Sequence, residues 1–77
     1  MPEETIWEVW YLQKGETEWL KRCSFPQIIV KGSDKGYFFA KDVADYISKE
    51  WKIPVRIVEK TVHRRVAYED LRGNINA

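Results

Sequence analysis

The chain holds one cysteine, one histidine and one methionine among its 77 residues. A lone cysteine closes no internal disulfide and rules out a cysteine-type zinc site. Cys23 and His63 are the only nucleophile and base of that kind, and spacing supplies no third group to orient them. Cys23 reads more simply as a small core hydrophobe. Asp42 and Asp45 lie three apart beside Lys41 and Lys49, which describes a solvated helix face rather than a metal site. No catalytic residue, metal or cofactor is therefore expected, and the chain reads as a non-enzyme. No apolar run approaches the roughly 18 residues of a spanning helix, so no membrane is expected. The start MPEETIWEVW lacks the basic and apolar regions of a signal peptide, which makes the cytoplasm the simplest setting. An excess of one charge is missing too. Thirteen basic residues stand against twelve acidic ones, for a net +1, which argues against strong nonspecific attraction to nucleic acid or anionic lipid.

Aromatic side chains are what the sequence has in quantity: four Trp, four Tyr and three Phe. A chain this short buries only about 60% of its unfolded surface, and large rings make a small core workable. One domain over residues 1–77 is expected, with flexible ends at 1–5 and 73–77.

Ile6–Gln13 reads as a strand, Lys14–Thr17 as a turn and Glu18–Cys23 as a second strand, making a hairpin. Ser24–Pro26 interrupts the pattern and puts Pro26 at an edge or bulge. Gln27–Lys31 reads as a short third strand, and Gly32–Gly36 as a loop. That loop has two glycines and a lysine but lacks phosphate-loop spacing, so it is read as a plain connection. The period then becomes helical near Ala40–Trp51, with Phe39, Val43, Tyr46, Ile47 and Trp51 as the packing face. Pro54 stops the helix. Val55–Lys60 reads as a strand. Thr61–Tyr68 reads as further strand in preference to a short helix capped by Thr61. The expected fold is α+β: a small, twisted, mostly antiparallel sheet in the order β-β-(β)-α-β, with room for one more C-terminal strand and one helix on one face.

A single helix shelters one face, yet the first strand is apolar on both. Ile6, Trp10 and Leu12 alternate with Trp7, Val9 and Tyr11, and Trp19 and Cys23 oppose Leu20. The second face could be covered by the C-terminal segment, by a second copy or by another partner. The leading expectation is a protein-interaction or regulatory module that self-associates or docks a protein through Trp7, Val9, Tyr11 and Trp19. The alternative is nucleic-acid binding, with Lys60, His63, Arg64 and Arg65 on phosphates and aromatic rings on bases. Against it stand the near-zero net charge and the balancing Glu59, Glu69 and Asp70. In element order, residues 6–51 are similar to the three-stranded sheet-plus-helix DNA-binding domains of integrases, which lay the sheet in the major groove. That resemblance brings no residue motif, and the strand after Pro54 departs from it. In general style the chain resembles short proteins of phages and mobile elements.

Overall fold

The computed structural model describes residues 4–71. Most of the two ends expected to be flexible, 1–3 and 73–77, lies outside them. Thr5 does not fray: its carbonyl accepts from the Gln27 amide at 2.9 Å.

The elements are β1 (Ile6–Tyr11), β2 (Leu20–Pro26), β3 (Ile29–Val30), β4 (Ser33–Asp34), α1 (Lys35–Trp51), β5 (Val55–Lys60) and β6 (Arg64–Asp70). The main sheet has the order β2-β1-β5-β6, and β3 and β4 form a separate two-stranded ribbon. Every pairing is antiparallel. This is the expected α+β arrangement of a sheet with one helix on one face. The helix links β2 to β5, and β1 lies between those two strands.

Several local features follow from single residues. Gly15, with φ +82°, turns the β1–β2 connection, where Glu16 N–H donates to the Gln13 carbonyl at 3.0 Å. Lys31 and Gly32 both have positive φ, 52° and 81°. They are the two central residues between β3 and β4, the combination that a type I′ hairpin turn needs. The segment read as a loop over 32–36 is thus a tight turn, a short strand and the start of the helix. Asp34 caps that helix, accepting from the Tyr37 amide at 3.3 Å. Its carboxylate also accepts from Trp7 Nε1 at 2.7 Å, Gln27 Nε2 at 3.1 Å and the Ile28 amide at 3.2 Å. The cap moves the helix start five residues ahead of the expected Ala40. Lys52 ends it in the left-handed region at φ 56°, and Pro54 follows.

The helix face is the main correction to the sequence reading. Its buried residues are Gly36, Ala40, Ala44, Ile47 and Ser48. Phe39, Tyr46 and Trp51, expected to be packed, are exposed, and Val43 is half-buried. The helix presents small residues because the sheet below supplies the large ones. Trp7, Tyr11, Phe25 and Tyr68 pack around the buried Val9, Val55 and Ile57. Trp7 meets Tyr37 edge-on with ring centroids 5.1 Å apart, and Tyr11 meets Trp51 at 5.7 Å.

Strand boundaries shift as well. β2 runs three residues past the expected end, through Phe25, with Pro26 closing it opposite Ile6. The segment after Lys60 is a turn at 61–63 followed by strand β6, which makes a β5–β6 hairpin of the stretch read as strand in preference to helix. Both outer strands carry a bulge, where the register breaks between Val9 and Trp10 and again between Ile57 and Val58.

Candidate functional site

Alternation along each strand assigns its side chains to two faces. On β1, Trp7, Val9 and Tyr11 lie beneath the helix, and Val9 is fully buried. The expectation that Trp7, Val9, Tyr11 and Trp19 share an uncovered face is therefore wrong for three of the four. The helix covers the first three, so neither the C-terminal segment nor a second chain is required for them. Trp19 alone belongs to the opposite side, where its ring lies under Arg56 at 3.7 Å from Cζ to centroid.

That opposite face is built in rows across the register. Ile6, Lys60 and Arg64 form one row, Ser24, Glu8, Val58 and Val66 the next, and Lys21, Trp10, Arg56 and Glu69 the third. The middle row is short where the two valines stand, and long side chains rise on both sides. The result is a shallow cup of about 240 Å³ lined by Trp10, Trp19, Arg56, Val58, Arg64, Arg65 and Val66. Two larger hollows, of about 370 and 510 Å³, lie elsewhere. The first is lined by Glu4–Ile6, Ser24, Pro26 and Gln27, the second by the β1–β2 turn and the chain around Pro54. Neither sets an apolar floor among several cations.

Glu8 organises the cup. Its side chain is only 2% exposed, and a buried carboxylate is costly unless paired. Arg64 Nε donates to it at 2.9 Å and Arg64 Nη2 at 3.3 Å. Trp10 Nε1 donates at 3.1 Å, and Lys21 Nζ stands 3.8 Å away. Burial alone would raise the Glu8 pKa. The hydrogen bonds from Arg64 and Trp10, with the charges of Arg64 and Lys21, outweigh it and hold the carboxyl below its ordinary value. Arg56 pairs with Glu69 at 2.6 Å, while its Nε–H is shielded from water with no acceptor among the described residues. Arg65 pairs with Glu59.

The structure thus brings Lys60, Arg64 and Arg65 to one end of the β5–β6 hairpin and leaves His63 exposed in its turn. Cys23 belongs to β2, at the other edge of the sheet and level with Tyr68 rather than with the His63 turn. Burial raises the Cys23 thiol pKa, the opposite of an activated nucleophile. Among the described residues no group of His, Cys, Asp and Glu could hold a metal ion, and no helix is long and apolar enough to cross a membrane. The sequence reading overlooked Glu8, Trp10, Arg56 and Val66. The available signal was one acid inside the greasy run Ile6–Tyr11, which has to find cations on neighbouring strands. Comparison with family models, with curated proteins and with solved structures finds no match.

Proposed function

We propose that the chain is a non-enzymatic docking module whose open sheet face, centred on Trp10, Trp19, Val58 and Val66, binds a protein surface. The observation that carries this reading is the cup itself: an apolar floor ringed by two tryptophans and three arginines. Trp and Arg are the residues most enriched among interface hot spots, and such residues cluster in pockets rather than on convex ground. The rest of the sheet points the same way. Both edge strands carry bulges, β2 ends on a proline, and the charged Lys21 and Arg22 lie along its edge, all features that discourage strand addition. The open face remains. The helix flank with Phe39 and Tyr46 is also exposed, and it serves as the internal control. The setting that goes with this reading is the cytoplasm, where a lone thiol stays reduced.

The test is a peptide-display selection on the folded protein, with Val66→Glu as counter-target. Val66 is 46% exposed, so the charge enters the cup without entering the core. Peptides that bind the native chain and lose binding to the variant are expected. Recovery only of peptides indifferent to Val66→Glu, and sensitive to Phe39→Ser instead, would overturn the reading. Self-association lost in Val66→Glu would keep the face and identify the partner as a second copy.

Nucleic-acid binding has one observation in its favour, the meeting of Lys60, Arg64 and Arg65 near Trp10. Two of those cations are already held by Glu8 and Glu59. No measurable affinity for single-stranded DNA or RNA at low salt is expected. Binding that falls steeply with salt would instead show counterion release and reverse the choice.

A further inference from the structure

We infer that the cup accepts one apolar side chain of the partner protein flanked by a carboxylate, an assignment that rests on the docking reading above. Size sets the first limit. At about 240 Å³ the cup is smaller than the roughly 300–1,000 Å³ of sites for whole small molecules, and it is open enough for a side chain presented from another surface. Its floor selects the chemistry of that side chain. Val58 is 7% exposed and Val66 46%, with indole rings on the walls, so an aliphatic or aromatic group replaces water over apolar ground.

The rim selects the neighbour. A guanidinium carries five N–H donors in a fixed fork. Arg64 commits two nitrogens to Glu8, while Arg65 and Arg56 meet Glu59 and Glu69 through Nη2. Donors are left over on each, and one more carboxylate at the rim finds partners without displacing the internal acids. A polyanion fits less well. Glu8 neutralises Arg64, Glu59 neutralises Arg65 and Glu69 neutralises Arg56, so a run of phosphates gains little net attraction. Arg56 already covers one face of Trp19, which removes a stacking platform from successive bases. The chemistry is that of a short acidic-apolar segment of a protein.

Nuclear magnetic resonance of the indole N–H groups tests this with N-acetyl-leucine, its amide, acetate and a thymidine oligonucleotide as probes. N-acetyl-leucine should shift the Trp10 and Trp19 signals saturably and leave Trp7, whose N–H is held by Asp34, unmoved. The amide should bind about fivefold more weakly, the effect of losing one exposed charge pair. Arg65→Gln should narrow that gap, and Val66→Glu should abolish both responses. Equal binding of acid and amide, or a stronger response to acetate alone or to the oligonucleotide, would overturn the inference. If display selects peptides that depend on Val66 but lack an acid beside an apolar residue, docking stands and this assignment falls.

Discussion

Glu8 and Asp34 are the two carboxylates on which the sheet depends, and each does its work as the ionised form. Glu8 anchors the open face through Arg64, Trp10 and Lys21. Asp34 joins Trp7, Gln27, Ile28 and the helix start. For Asp34, too, burial would raise the pKa, but hydrogen bonds led by Trp7 and Gln27 lower it below its ordinary value. A depressed folded pKa stabilises the native state above the ordinary carboxyl value, and that stabilisation is lost as pH falls through the folded one. Urea midpoints should therefore be flat above about pH 5 and decline on acidification. In Glu8→Gln the acid limb should be shallower; an unchanged limb would remove Glu8 from the account. A second prediction concerns Gly36, where an added Cβ would overlap the Pro26 carbonyl oxygen. Backbone cannot yield as a side-chain tip does, so Gly36→Ala should cost roughly 1–3 kcal/mol in urea unfolding. Glu8 left a signal as the one acid in Ile6–Tyr11, but the roles of Asp34 and Gly36 could not be read in the sequence. The two glycines of Gly32-Ser33-Asp34-Lys35-Gly36 mark an irregular segment, but only coordinates show that Gly32 supplies a positive φ and Gly36 a close approach.

At the scale of elements, period was legible and orientation was not. Alternation and β-branched residues revealed β1, β2 and β5, and the helical period between Phe39 and Trp51 revealed α1. The inference failed where it equated large with buried. Rings at Phe39 and Tyr46 lie on an exposed flank, Trp51 is half-open over Tyr11 at the helix end, and Ala40 and Ala44 are fully buried, because the sheet already fills the core with Trp7, Tyr11 and Phe25. Ile47→Ala should cost about 2–5 kcal/mol as a core deletion, whereas Tyr46→Ser should stay within about 0.5 kcal/mol as a surface change. Thermal or urea unfolding of the pair checks the helix orientation directly, and equal losses would contradict it. The β3–β4 turn offers a gain. Lys31 has φ 52° at a position where asparagine is preferred, so Lys31→Asn should raise the urea midpoint slightly. The β5–β6 hairpin was ambiguous because Val62 and Val66 suit either period, and the turn at 61–63 has neither glycine nor proline to mark it.

For the whole molecule, among the described residues, one helix on a four-stranded sheet covers one face and leaves the other uncovered. The apolar character of β1 on both flanks signalled that in advance, but assigned the wrong set of residues to the open side. Once the helix is seated, Trp7, Val9 and Tyr11 are explained by the core, and the unexplained surface is the cup of Trp10, Trp19, Val58 and Val66 beneath three arginines. Chemical-shift mapping of a display-selected peptide on the isotopically labelled protein tests this account most directly. Perturbations should concentrate on Trp10, Trp19, Arg56, Arg64 and Val66, with Phe39, Tyr46 and Trp51 unaffected. Perturbations centred on the helix flank, with the Trp10 and Trp19 indoles unmoved, would contradict it.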